Sequence, residues 1–332
     1  MNKIFLLFLL FIALIVSIVF SISIGSVSIP FSEILSVFSS GDETYKKVIL
    51  DIRLPRVLNA ISIGAALSCS GIILQSLLKN NLAEPGLLGI SAGAGLGAII
   101  VFMLPFTWTY FLLTPVSFIF ALLATMLIFL ISKGFSFKYT NFIYSNKIIL
   151  AGIAINALLS SINGFLMILS GESLSQIIFW LNGGLSGRGW NEFYYTIGFI
   201  VIGLISAILL SKDLNILSLG NEISLSLGLN LKFVQKICII VASVLAASAV
   251  SIAGIISFVG LIVPNIAKLL IGEDYRYSVP CSILLGAIFL VVSDTLARTL
   301  ISPTEIPVGI ITSFIGAPVF IWLILRREKT QN

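Results

Sequence analysis

ICIIVASVLAASAVSIAGIISFVGLIVPNIAKLLI, residues 237–271, is an apolar run of about 35 residues. A helix crosses the ~30 Å hydrocarbon core of a bilayer with about 20 residues, so the run is too long for one crossing and short for two. Gly254, Gly260 and Pro264 interrupt it, and a turn or a broken helix fits there. Counted once, the run gives the chain nine crossings; counted twice, it gives ten.

The rest of the chain leaves no doubt that crossings are the right unit. Its 332 residues are 58% hydrophobic and 10% charged, with a mean hydropathy of +1.14, far above the ~45–50% apolar content of soluble domains. Further apolar runs span residues 3–24, 57–78, 87–104, 109–132, 148–169, 193–211, 281–301 and 306–325. Lipid offers no partner to an exposed backbone N–H or C=O, and the alternation of a transmembrane barrel is absent, so the runs are helices and the fold class is all-α and membrane-embedded. The first run follows Asn2-Lys3 and is read as a retained span: it exceeds a signal-peptide core, and no small-x-small cleavage site follows it.

Charge chooses between nine and ten. With ten spans both termini share a side, and Lys3 joins Arg326, Arg327 and Lys329 there. Six basic residues, Lys46, Lys47, Arg53, Arg56, Arg188 and Arg298, then fall at the other side, leaving thirteen of the nineteen on the side of the termini. Basic residues favour the cytoplasm, so the expectation is ten spans with both termini cytoplasmic. DIRLPR at 51–56 stands out against this, because Arg53 and Arg56 lie on the side that positive charge avoids.

Several chemistries are excluded. Histidine is absent, and no group of Cys or carboxylates has ligand spacing, so metal or haem ligation and the usual general base are missing. Cys69, Cys238 and Cys281 lie singly in apolar segments and read as small buried hydrophobes. No G-x-x-x-x-G-K-[ST] run is present to cradle nucleotide phosphates. The chain is therefore expected to be no enzyme, to hold no metal or other cofactor itself, and to leave ATP to a partner.

Polar features within the apolar frame carry what remains. The whole of 1–332 reads as one transmembrane domain, with an outer loop at 25–53 ending in a Ser39-Ser40-Gly41-Asp42-Glu43 tip and an inner loop at 212–236. The inner loop holds two short apolar pieces closed by Gly220 and Gly228 and reads as two glycine-capped helices or as a plain amphipathic linker. In the run 148–169, Gly152, Asn156, Ser160 and Asn163 share one helical face, which either packs against another helix or lines a wet cavity. Residues 172–185 are too short to span and read as a helix tucked into the outer half of the bundle. Asp294 and Arg298, four apart near the outer end of a span, are placed to pair.

With these positions laid out, the chain resembles the permease subunits of ABC importers for iron-siderophore complexes, haem and cobalamin, the FecCD-type permeases. The resemblance covers nearly the whole length. It is carried by RLPR at 53–56, GAALSCSGIILQSLLKNNLAEPGLLGISAGAGLGA at 64–98, LAGIAIN at 150–156, the Leu-Gly-rich inner loop at 214–230, FVGLIVPNIAKLLIGEDYR at 258–276, and GAIFLVVSDTLARTLISPTEIPVGIITSFIGAPVFIWLI at 286–324. It implies a type II importer architecture of ten spans, paired with a second permease subunit of the same or a different sequence, two ATPase subunits below that bind ATP-Mg, and an extracytoplasmic binding protein or lipoprotein above. No nucleic acid is implied.

The resemblance also implies residue roles. Arg53, Arg56 and Arg298 would dock acidic residues of the binding protein, where a guanidinium fork matches a carboxylate. Asn80 and Leu82, with Tyr144, Ser145 and Asn146, would form the cytoplasmic gate. Leu219, Gly220, Leu227 and Gly228 would contact the ATPase, and Gly152, Asn156, Ser160 and Asn163 suit a pathway lining. The chain departs from the family at two places: Asn80-Asn81-Leu82-Ala83 where Pro-Asn-Pro-Leu-Ala is common, and Pro264-Asn265-Ile266-Ala267-Lys268 where Pro-His-x-x-Arg is common. The first changes the stiffness of the gate segment, and the second replaces a fork by a point charge. An iron-siderophore cargo is expected first, haem second and cobalamin third. An ion-coupled secondary transporter is the rival class, but Asp294 is the one clear carboxylate within a span.

Overall fold

The computed structural model describes residues 3–25, 43–105, 109–134 and 145–331. Every regular element among them is a helix. Helix α1 is Lys3–Ser23; a short helix Glu43–Lys47 continues through the wider turn Val48–Arg53 into α2, Leu54–Leu78. Then come α3 (Ile90–Phe102), α4 (Thr109–Gly134), α5 (Ser145–Leu169), the short α6 (Leu174–Leu181) and α7 (Trp190–Leu209). The pair α8 (Ser211–Ser218) and α9 (Asn221–Ser226) precedes α10 (Leu231–Ala253), α11 (Val259–Ile271), α12 (Tyr275–Thr299) and α13 (Val308–Gln331). Among the described residues, seven helices are long and apolar enough to cross a membrane unaided, and α3, α11 and the apolar part of α13 are shorter. Those ten coincide with the ten runs read from the sequence. The tip Ser39-Ser40-Gly41-Asp42 lies outside the described residues, and Glu43 opens the short helix.

The 237–271 run divides into α10 and α11, and the break lies at Gly254–Phe258. Gly254 has φ +72°, and a Cβ there would stand 2.0 Å from the Trp180 carbonyl oxygen, so only glycine turns the chain at this point. Phe258 enters α11 with φ +69°. Gly260 and Pro264, expected as breaks, sit inside α11. The N–H that Pro264 lacks would have gone to the Gly260 carbonyl, which instead lies against Gly71 of α2. Helix α11 is 13 residues, or roughly 20 Å, so it spans about two thirds of a bilayer core and the extended 254–258 segment supplies the rest. Non-helical backbone at that depth is tolerated only when protein satisfies it. Gly184 N–H donates to the Ala253 carbonyl at 2.7 Å, and the Ile255 carbonyl faces Gly183 and Gly309.

Helix α2 is the axis of the molecule and is buried along nearly its whole length. Small residues let its neighbours close in: a Cβ at Gly64 would lie 2.1 Å from the Gly286 carbonyl of α12, and one at Gly71 would lie 1.9 Å from that of Gly260 in α11. Within lipid, such close contact and interhelical hydrogen bonds replace the hydrophobic drive. The bonds are present: Ser70 Oγ to the Ala242 carbonyl at 2.7 Å and Gln75 Nε2 to that of Leu261 at 3.1 Å. Helix α1 packs on α11 and α12 through Leu6, Ala267, Ile271 and Cys281.

The bundle has two chemically different ends. At one, the C-terminus of α1 meets Arg53 and Arg298, and Arg56 meets Glu305 just before α13. At the other, Lys3 lies over the Tyr277 ring at 4.9 Å, close to the α8–α9 pair, which is tied to Asp274 by Asn215. Helix α13 starts at the first end and runs alongside α11, with Leu323 packed against Leu261 and Ile262, so both chain ends reach the α8–α9 end. This matches the even span count expected from charge.

Candidate functional site

The arginine end is built from three helices. Arg53, Arg56 and Arg298 are brought together, and all are buried, at 5%, 9% and 7% exposure. Arg53 donates to the carbonyls of Ile22 and of Ser23, the latter at 3.1 Å. Arg298 donates to the Ser21 carbonyl and, at 2.7 Å, to its hydroxyl. These are the last carbonyls of α1, which no longer have an intrahelical N–H and carry the negative end of the helix dipole; two guanidiniums from elsewhere in the chain cap them.

Arg56 is held differently. Its Nε and Nη2 grip Asp294 at 2.9–3.2 Å, and its Nη1 donates to both Glu305 oxygens at 2.9 and 3.1 Å. Asp294 is 1% exposed in side chain, whereas Glu305 is 31% exposed and forms the rim. Burial raises the Glu305 carboxyl, but the bonds from Arg56 prevail and hold it below its ordinary value. The expected Asp294–Arg298 pair is present at 3.8 Å, yet the closer partner of Asp294 is Arg56 from a different helix. The forks expected to face outward are thus engaged within the chain. Sequence reading singled out the arginines but passed over Glu305, whose cue was its place in the PTEIPVG turn directly beside Arg298's span.

At the opposite end the α8–α9 pair has the expected form. Gly220 (φ +116°) and Gly228 (φ +81°) follow the two helices in a backbone region that favours glycine, with open space where a Cβ would stand. Leu219 and Leu227, at 55% and 58% exposure, project from the same turns. Ser224 Oγ closes the pair by donating to the Ile216 carbonyl at 2.8 Å. Asn215 fixes the pair to the start of α12: it donates to Asp274 at 2.8 Å and accepts from Tyr275 N–H at 2.9 Å. Hydrogen bonds from Arg276 hold the Asp274 carboxyl well below the usual carboxylate range, against a smaller effect of burial, and Asn215 adds to them.

Of the gate candidates, Asn80 and Leu82 lie in the connection between α2 and α3. Asn80 Oδ1 accepts from Leu82 N–H at 2.9 Å, forming a turn that presents Leu82 at 52% exposure. Tyr144 lies outside the described residues, and Ser145 and Asn146 enter as the backbone start of α5. The polar stripe on α5 divides. Asn156 donates to the Gly86 carbonyl at 3.0 Å and Asn163 to that of Ala92 at 3.1 Å, while a Cβ at Gly152 would lie 2.1 Å from the Leu87 carbonyl. These three face α3 and the turn before it, and Ser160 alone is exposed. The asparagines satisfy their own amide donors on these carbonyls, the Gly86 carbonyl also accepting from Gly89 N–H at 3.2 Å.

A groove of 590 Å³ opens between α6, the 254–258 segment and α13, lined by Leu181, Asn182, Ile255, Ser257, Phe314 and neighbours, with no charged side chain among its lining residues. Sequence reading missed it because the extended segment that forms one wall looks like helix in hydropathy.

Comparison with known proteins agrees with this architecture. The chain is 39% identical over 327 residues, 95% of its own length and 91% of the other's, to an uncharacterized ABC transporter permease protein, YvrB, of Bacillus subtilis. It is 36% identical to the hemin transport system permease protein HmuU of Yersinia pestis, over 94% and 92% of the two chains. It is 38% identical to the cobalamin import system permease protein BtuC of Halobacterium salinarum, over 86% and 75%. A solved structure of an ABC transporter of the metal-chelate type in an inward-facing conformation superposes with a TM-score of 0.85 at 30% identity, covering 97% of this chain and 99% of that one. Residues 13–326 match the FecCD transport family, and with the all-helical bundle and full-length relatives the chain belongs to it.

Proposed function

We propose that this chain is the permease subunit of a binding-protein-dependent ABC importer that carries a ferric siderophore across the cytoplasmic membrane. The observation that carries the reading is the full-length structural likeness to a metal-chelate type transporter. The α8–α9 pair supports it: exposed Leu219 and Leu227 beside glycine turns form a compact apolar projection of the kind a cleft on an ATPase accepts. In this reading ATP-Mg is bound and hydrolysed on two partner ATPases, a second permease subunit completes the pathway, and both termini are cytoplasmic. Arg53, Arg56 and Arg298 then lie at the external end, where an acidic residue of a binding protein would share Arg56 with Glu305 at the rim, and would have to displace α1 carbonyls to reach Arg53 or Arg298. The uncharged groove of 590 Å³ suits a bulky chelate that must be passed on rather than gripped.

The test is uptake by proteoliposomes that contain the permease, its ATPase pair and its binding protein, with a ferric hydroxamate siderophore, hemin and cobalamin offered in parallel. ATP-dependent uptake of the ferric siderophore is expected. Uptake of hemin or cobalamin alone overturns the cargo, and uptake that persists without the ATPase overturns the class.

A further inference from the structure

Helix α2 ends on Lys79, whose φ of 49° and ψ of 37° are left-handed. A residue with a Cβ takes that conformation against a steric penalty and holds it where neighbours over-determine it. Here the neighbours are polar and come from three directions. Lys79 Nζ donates to Asn221 Oδ1 of α9 at 3.0 Å. Asn265 of α11 donates through Nδ2 to the Asn81 carbonyl at 2.9 Å. Lys268, three residues on along α11, donates to Asn81 Oδ1 at 3.3 Å and to Gln75 Oε1 of α2 at 3.1 Å, and its ammonium lies 5.5 Å from the ring centroid of Tyr275 at the start of α12. One side chain of α11 therefore touches α2, the connection after it, and α12.

We propose that Lys268 is a positioning residue that latches the 79–84 connection to α11, and that releasing this latch frees Leu82 to move. The inference rests on the reading of Asn80 and Leu82 as part of the inner gate. The bonds to Asn81 and Gln75 go to neutral amide oxygens, which exchange protein for water at small net cost, so this part of the latch opens without separating an ion pair. Its position gives it a trigger. The α8–α9 pair is bonded to the connection through Asn221 and to the start of α12 through Asn215, so a shift of that pair pulls on two of the elements that Lys268 bridges. The two places where this sequence departs from the common pattern of its family, Asn80–Ala83 and Pro264–Lys268, are thus in direct contact: Asn81 receives bonds from Asn265 and Lys268.

The experiment uses the full assembly in proteoliposomes and a Leu82→Cys reporter labelled by a membrane-impermeant maleimide, alongside cargo moved per ATP hydrolysed. Lys268→Met is expected to raise the labelling rate by roughly 2- to 30-fold and to lower cargo per ATP by a similar factor, while Lys268→Arg, which keeps the cation, stays within about 2-fold of the parent. If Lys268→Met yields little folded protein, Asn81→Ala removes the Oδ1 acceptor from an exposed site and is expected to move both readouts the same way. Unchanged labelling and unchanged cargo per ATP in either variant overturn the latch, as does lower yield with both ratios unaltered. Absence of ATP-driven uptake in the parent would instead strike the transport reading, and the labelling comparison would still decide the latch.

Discussion

Asp294 is the residue on which the external end turns. Its carboxylate, 1% exposed in side chain, faces Arg56 at 2.9 Å and Arg298 at 3.8 Å, and these two guanidiniums are themselves buried. Removing one partner from such a group leaves charge in low dielectric without compensation, which costs about 3–5 kcal/mol. Asp294→Asn is therefore expected to lower the thermal unfolding midpoint of the detergent-solubilised protein markedly and to loosen α1, whose last carbonyls depend on Arg298. Glu305 binds the same Arg56 from the rim, where water can replace it, so Glu305→Gln is expected to cost about 1 kcal/mol or less. Equal effects of the two substitutions would show that the arginine cluster is not organised around Asp294. The sequence displayed the i,i+4 spacing of Asp294 and Arg298 but could not display the stronger pair, because Arg56 lies 238 positions away and reaches Asp294 only through the packing of α2 on α12.

At the scale of elements, hydropathy located the seven long apolar helices and the three shorter ones among the described residues, since apolar length is set by bilayer thickness and not by tertiary detail. It could not locate the break within 237–271. Gly254, Gly260 and Pro264 look equally disruptive in one dimension, and what separates them is their neighbours: Gly254 must take φ +72° against the Trp180 carbonyl, while Gly260 and Pro264 fit a helix whose spare carbonyl nests on Gly71. The α5 stripe was ambiguous for a similar reason, because Asn156 bonds a carbonyl of the turn Pro85–Leu88 and Asn163 one inside α3, contacts that no periodicity announces. Two glycines with positive φ then separate fold from function. Gly254→Ala combines a forbidden φ with a Cβ 2.0 Å from backbone and is expected to abolish folded yield. Gly220→Ala meets open space, so its cost is confined to the turn, about 1–3 kcal/mol, and the bundle is expected to keep its folded yield by size-exclusion chromatography while the α8–α9 pair loses its shape. Comparable folded yields for the two would contradict this division.

For the whole molecule, the arginines at 53, 56 and 298 first look like a breach of the charge bias that fixes orientation, and their surroundings remove the breach. Asp294 and Glu305 offset two of the three charges, and the α1 carbonyls bind Arg53 and Arg298, so the three arginines present little free positive charge, and the exposed basic side chains at this end are Lys46 and Lys47. The exposed basic side chains Lys79, Lys232 and Arg276 belong to the α8–α9 end, where Arg276 is paired with Asp274 at 2.6 Å. The charge bias still leads us to expect the α8–α9 end in the cytoplasm. The three native cysteines are free and fully buried, so reporter cysteines can be added over a quiet background. Leu219→Cys at the α8–α9 end and Thr304→Cys in the exposed turn before α13 are both accessible positions. An impermeant maleimide is expected to label Leu219→Cys in inside-out vesicles and Thr304→Cys in right-side-out vesicles. Labelling of both from one side would refute the two-ended bundle, and the reversed pattern would refute the orientation while leaving the fold intact, because the fold depends on helix packing and the orientation on the charge bias between the two ends.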